Sequence, residues 1–301
     1  MSDGGAGAAS GVVSLPGPLA VGRPGRAGLA VALRRTPVAV IGGVTVALVV
    51  LVALAAPWLA PHDPVAQIAK PLLPPGGAHL AGTDEFGRDE LSRLIFGARV
   101  SLYVGGLAVL IALGLGATSG VLAGFYGGWV DDVTMRVMDV LLSLPALVLA
   151  IAITSVLGPT LTNAMVAIGI VYTPTFARVA RGPTLAVVGV PYIEAARAIG
   201  AANAGIVLRH VLPNVAAPIL VQTTVSLSTA ILTEAALSFL GLGTQPPTAS
   251  WGLMLSAARQ YMLIDPWIAV LPGCAIAVTV LGFNLLGDGL RDLLDPRMRT
   301  L

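Results

Sequence analysis

Charged side chains along this 301-residue chain are gathered into short stretches, and long windows between them hold none. Runs free of Asp, Glu, Lys and Arg cover 36–62, 100–130, 140–177, 211–233, 235–258 and 266–287. A helix needs about 20 apolar residues to cross a hydrocarbon core of about 30 Å. The run 140–177 has 38 residues, enough for two crossings, and Gly158-Pro159-Thr160 near its middle supplies the punctuation of a hairpin. The run 235–258 contains Gly241, Gly243, Pro246, Pro247 and Gly252, and reads as an ordered loop with short helical pieces. The pattern predicts an all-α, polytopic membrane protein with six transmembrane helices.

Composition agrees. Hydrophobic residues make up 56% of the chain and charged residues 11%, with mean hydropathy +0.88. Soluble domains are about 25% charged, so an ordinary soluble enzyme does not fit. The net charge of +2 gives no polyanion signal, and no nucleic-acid partner is expected. A single cysteine, Cys274, rules out an internal disulfide or a thiolate metal cluster, and no metal site is expected.

Arginine placement sets the expected orientation. With a cytoplasmic N-terminus, the inner segments carry Arg23, Arg26, Arg34, Arg35, Arg136, Arg178, Arg181, Arg197, Arg209, Arg291, Arg297 and Arg299. The outer segments carry Lys70, Arg88, Arg93, Arg99 and Arg259, offset by Asp84, Glu85, Asp89 and Glu90. Both termini are therefore expected inside. Residues 1–35 read as a disordered cytoplasmic tail with a short interfacial segment, 36–290 as the transmembrane domain, and 291–301 as a cytoplasmic tail. The segments 62–98 and 235–265 become outer loops and 180–214 an inner one. Arg34-Arg35, an apolar run and Ala53-Leu54-Ala55 superficially resemble a cleavable signal. The apolar stretch is too long for one, so it reads as an anchor retained as the first span.

Two local patterns stand out. Gly116, Gly120, Gly124 and Gly128 recur every fourth residue, a stripe along which another helix backbone can approach closely. With 36 glycines in the chain, general composition is the plainer alternative. In the inner loop, Pro191 can open a helix and Gly200 can end one with a left-handed cap. Between them, Ala195, Ala196 and Ala198 leave a slim helix able to enter a groove on a partner. Glu194 and Arg197 stand at i and i+3, placed to pair with each other or with that partner. The alternative is a surface helix lying on lipid headgroups.

Glu194-Ala195-Ala196, then three residues, Gly200, and later Leu212-Pro213 resemble the EAA loop of binding-protein-dependent ABC importer permeases. His210-Val211-Leu212-Pro213-Asn214 is similar to the ending found in the peptide and nickel branch, where the general pattern has Ile in place of His210. The segment His79-Leu80-Ala81-Gly82-Thr83-Asp84, Gly87-Arg88-Asp89, Ser92-Arg93 and Gly97 to Leu102 looks like the stretch before span two in dipeptide/oligopeptide permeases, with Ala81 where that family usually has Leu. Ser238 to Gly243, Pro246-Pro247, Ser250-Trp251-Gly252 and the ending Gly287 to Asp292 with Asp295-Pro296-Arg297 continue the resemblance, which runs from about residue 30 to 299. It points to the second of the two permease subunits of a type I ABC importer, in a bacterial cell membrane, with peptides as cargo. Nickel chelates, glutathione-like molecules or haem are alternatives within the same architecture.

The resemblance implies that ATP drives transport, and the lysine count tests whether this chain can use it. A phosphate-binding loop needs Gly-Lys-Ser/Thr. The sole lysine, Lys70, lies between Ala69 and Pro71. The chain is therefore expected to be a non-catalytic subunit without a cofactor of its own, ATP and Mg residing in two partner ATPase subunits. A homologous second permease and an extracytoplasmic solute-binding protein complete the expected partners, beside the lipid bilayer. Glu194, Ala195, Ala196, Arg197, Gly200, Leu212 and Pro213 are the expected ATPase-coupling residues. Pro174 and Pro213 either stiffen the connection to the spans or merely mark a kink and a terminus. No substrate-contacting residue is named, since six helices give half a pore lining. A secondary transporter is the competing class, but Asp139, Glu234, Asp265 and Asp288 sit at span ends rather than inside spans. His62, His79 and His210 are distant in sequence and form no catalytic motif.

Overall fold

A computed structural model describes residues 37–294. The expected tail 1–35 and the end of the expected C-terminal tail, 295–301, lie outside the described residues. In chain order the helices are α1 (Pro37–Leu54), α2 (Ala56–Leu59), α3 (Glu90–Tyr126), α4 (Gly128–Leu142), α5 (Ala146–Leu157) and α6 (Leu161–Val188). They continue as α7 (Pro191–Ala198), α8 (Asn203–Ile206), α9 (Leu212–Phe239), α10 (Trp251–Ala258) and α11 (Trp267–Leu294), with a π-turn at Val207–Val211 running α8 into α9. Among the described residues there are isolated β-bridges but no strand.

Four helices are long and apolar enough to cross a membrane: α1, α3, the continuous segment Asn203–Phe239, and α11. The pair α4 and α5, bent by 90°, makes a fifth candidate. The expected count of six transmembrane helices is not reached on length and hydropathy, and the difference lies in two places. The third was placed at the start of the run 140–177, but Pro145 breaks the chain there. The residue before a proline avoids helical geometry. The 12-residue α5 reaches only about 18 Å. The fourth, α6, has 28 residues but is not apolar enough to qualify. Asn163, Tyr172, Thr173, Pro174, Thr175 and Arg178 lower its hydropathy. Protein surrounds much of this helix: Ala164, Ile168, Gly169, Val171, Thr173, Pro174, Phe176 and Ala177 are all buried.

The α3–α6 pair is the most extensive helix contact and forms the centre. Val104, Ala108, Val109 and Ala112 of α3 pack with Met165, Ile168, Val171 and Phe176 of α6, Ala150 of α5, and Ala230 and Leu237 of α9. A second cluster joins Ala53 of α1, Ala98 of α3, Ala235 of α9, Trp251 and Met254 of α10, and Ile276 of α11. By contrast, α1 lies along α11 with Ile41, Val44, Leu48 and Leu51 exposed, an apolar face suited to lipid.

Three loop boundaries move. Helix α3 starts at Glu90, so the loop expected over 62–98 ends there; Asp89 caps the helix by accepting from the Ser92 N–H at 2.9 Å. Helix α9 continues to Phe239, inside the expected loop 235–265. In the expected inner loop 180–214, α6 runs on to Val188, leaving 189–211 between the long helices. At the C-terminal side α11 extends to Leu294, past residue 290. The hairpin at Gly158-Pro159-Thr160 is present: Gly158 has φ +95°, and Thr160 caps α6 by accepting from Asn163 N–H at 3.2 Å.

Candidate coupling site

Val190 is extended, and Pro191 follows in the first turn of α7, where its missing N–H costs no helical bond. At the far end Gly200 has φ +83°, a conformation that a β-carbon penalises. Its N–H bonds the Arg197 carbonyl and the Ala201 N–H bonds the Ala196 carbonyl, each at 3.0 Å. These paired bonds are the Schellman closure of a helix. A side chain at Gly200 would meet no atom within 4 Å, so backbone geometry rather than space requires the glycine.

One side chain anchors α7. Ile193 is fully buried among Val121 and Phe125 of α3, Ala180 of α6, Ile206 of α8, Val211 of the π-turn and Val215 of α9. Arg197 lies over the Phe125 ring at 5.3 Å, and Tyr192 meets the His210 ring at 5.6 Å. Among the described residues Glu194 and Arg197 form no ion pair; the guanidinium turns to the aromatic ring instead. Glu194, Ala195 and Ala198 are exposed, Ala196 half-buried, and Ile199 is 86% exposed. The outer face of α7 is thus small, apolar at one end and charged in its first turn.

Leu212 and Pro213 open α9, both exposed. Proline cannot donate a backbone bond. The turn before it widens, the Leu212 N–H reaching the Val207 carbonyl five residues back, while Asn214 Nδ2 donates to the His210 carbonyl at 2.6 Å. Chain therefore passes from α8 to α9 as one helix with a wide turn, beside the Tyr192–His210 contact.

The glycine stripe is resolved residue by residue. A β-carbon on Gly116 or Gly120 would collide with the α6 backbone at Thr173 or Ala177, and one on Gly124 would lie 2.9 Å from the Thr184 side chain. Gly128 does not belong to the stripe. Helix α3 ends at Tyr126, and Gly128 has φ +53° with nothing within 4 Å. Arg181 then clamps α6 to α4 through two bonds of 2.5 Å to Asp131, and Arg178 reaches Asp139 at 2.7 Å.

At the other end of α3 lies a buried polar cluster that sequence reasoning had used for charge placement and resemblance but not as a site. Asp84 accepts the Phe86 and Arg88 N–H groups, each at 2.9 Å, and meets Arg88 Nε at 2.5 Å and Arg93 Nε at 3.2 Å. Asp89 is buried; desolvation alone would raise its pKa, but hydrogen bonds from His79 and Ser92 outweigh that and hold it below the usual carboxylate range. Deeper in, Glu234 accepts from Ser238 at 2.7 Å and from Ser101 and Thr244 at 3.3 Å, joining α9, α3 and the loop before α10. The available signal was density: six of the ten residues 84–93 are charged.

Residues 116–300 match the model of the binding-protein-dependent transport system inner membrane component. The chain belongs to that family. Residues 30–75 also match the N-terminal transmembrane domain of oligopeptide transport permease C. The dipeptide transport system permease protein DppC of Alkalihalophilus pseudofirmus is 45% identical over 89% of this chain and 88% of its own length. A di/tripeptide transport system permease protein DppC of Pseudomonas aeruginosa is 48% identical over 84% and 86%. The glutathione transport system permease protein GsiD of Escherichia coli is 46% identical over 88% of each. In fold, the chain is similar to a chain of the inward-facing MetNI methionine ABC transporter, with TM-score 0.54 and 21% identity over 67% of this chain and 97% of that one. As an inner membrane component, the chain offers lipid the exposed apolar face of α1.

Proposed function

We propose that this permease is half of the translocation path of an ATP-driven importer of di- or oligopeptides, moved through α7 by an ATPase subunit. The observation that carries the reading is α7 itself: an exposed helix whose single buried residue, Ile193, belongs to one buried cluster with residues of α3, α6 and α9. A push on its outer face is delivered to three long helices. Two ATPase subunits, holding the ATP and Mg, a homologous permease and a solute-binding protein are the partners in this reading. Both termini and α7 face the cytoplasm, and the loops 60–89 and 240–250 face the binding protein. The peptide cargo follows the names of the relatives, and selection among peptides, glutathione-like molecules and other ligands belongs to the binding protein.

The test is transport by the reconstituted importer. The chain purified in mild detergent should carry the second permease and two ATPase subunits; recovery of the chain alone would count against the assembly. In liposomes with the binding protein, ATP should drive accumulation of a labelled dipeptide, unlabelled glutathione serving as the competitor that reassigns cargo. Glu194→Lys and Gly200→Val should leave membrane insertion and ATP hydrolysis but reduce uptake by at least about tenfold, corresponding to about 1.4 kcal/mol. Normal uptake by both variants overturns the docking role of α7.

A further inference from the structure

We propose that His62, His79 and Asp89 form a binding site for one divalent transition-metal ion, zinc by ligand type, which pins the segment before α3 to the start of that helix. The two histidines are 17 positions apart in sequence, yet their ring centroids lie 5.2 Å apart. One donor atom from each of the three residues lies within 4.8 Å of the others. His79 Nδ1 is 2.9 Å from Asp89 Oδ1 and His62 Nδ1 is 3.6 Å from the same oxygen. In a tetrahedral zinc site with bonds of about 2.0–2.1 Å, neighbouring donors stand about 3.3–3.4 Å apart. The observed pairs bracket that spacing, so each needs to shift by only about 0.5 Å or less.

Hydrogen bonding alone leaves the cluster incomplete. Ser92 occupies Asp89 Oδ2 through both its N–H and its hydroxyl, at 2.9 and 2.7 Å, and Oδ1 is left to the imidazoles. His79 makes its bond to Oδ1, but His62 Nδ1 is buried with no hydrogen-bond partner. A buried polar nitrogen without a partner is costly; a cation between it and Oδ1 satisfies it. Imidazole nitrogens with a single carboxylate suit zinc, whereas calcium and magnesium favour all-oxygen sets.

The ligands are also held in place before any ion arrives. The His62 N–H donates to Ser92 Oγ at 3.0 Å, Gly76 and His79 exchange two backbone bonds of 3.0 Å, and Asp89 is fixed as the cap of α3. The His62 side chain is 33% exposed while that of Asp89 is fully buried, which gives the ion a water-side entrance at His62.

The experiment uses the full chain in detergent, stripped with EDTA and titrated with Zn²⁺ against a chromophoric chelator, with metal content measured after gel filtration. One equivalent should bind per chain. His62→Gln should weaken binding by more than about 100-fold, since losing even an outer partner of a ligand costs about 10–100-fold. His62 is the chosen variant because its ring makes no hydrogen bond through Nδ1, so the substitution breaks none there. His210→Gln, at the opposite end of α3, should bind as the wild type does. Saturating zinc should raise the unfolding temperature of the wild type and not of His62→Gln. No saturable binding, binding unchanged in His62→Gln, or binding lost in His210→Gln each overturns the site.

Discussion

Both ends of α3 meet a connecting segment, and the two segments are built in opposite ways. Before α3, residues 60–89 fold around buried charge: Asp84, Arg88, Asp89 and Arg93 are all under 10% exposed and bonded to one another or to backbone. After α6, residues 189–211 carry their charge outside, at Glu194 and Arg209, and hold their place through the buried aliphatic side chains of Ile193, Ile206 and Val211 and two ring contacts. A segment whose buried charges bond one another keeps one shape, whatever docks on its surface. A segment anchored by a few aliphatic side chains, with an exposed helix above them, keeps its place while leaving its surface to be claimed.

Substitutions should separate the two designs. The largest stability loss is expected from Asp84→Ala, which strands Arg88 and Arg93 without their shared carboxylate. Removing one partner of a buried pair costs about 3–5 kcal/mol, readable as a lowered unfolding temperature in detergent. An unchanged unfolding temperature would mean the cluster before α3 is not internally bound. Next comes Ile193→Ala, which leaves a cavity under α7 and should cost about 2–4 kcal/mol. Proteolysis should then cut within 189–202 faster than in the wild type; equal rates would show that α7 has another anchor. The smallest effect on stability is expected from Glu194→Lys, whose side chain is exposed and unpaired among the described residues, so its unfolding temperature should match the wild type. A destabilised Glu194→Lys chain would erase the contrast between the segments.

Local chemistry accounts for what was legible in the sequence. Gly200 is left-handed because the helix ends there, and the hairpin at Gly158 follows from the same property of glycine. Gly116, Gly120 and Gly124 lie against α6 because intervals of four residues stay on one helix face. What could not be read depends on distant partners. Gly128 keeps the interval, but the chain turns at Gly127 and leaves the face. Ser101 and Glu234 meet across 133 residues, and no window of sequence holds both. A span after the Gly158 hairpin was expected, but not that it is the central helix: the low hydropathy of α6 goes with surroundings that are largely protein. The 90° bend before α5 was hidden by a charge-free run that continues straight through it.

The glycine seam has a mechanical consequence. Where Gly116 and Gly120 bring two backbones together, no flexible side chain lies between them to absorb a small displacement. Close-packed interiors resist compression and pass strain onward. Helices α3 and α6 therefore act as a single stiff beam, and α3 alone spans about 55 Å from its cap at Asp89 to the aromatic ring beneath Arg197. A nudge at the ring end has no soft joint along that seam in which to dissipate, so the two ends of the beam tilt together.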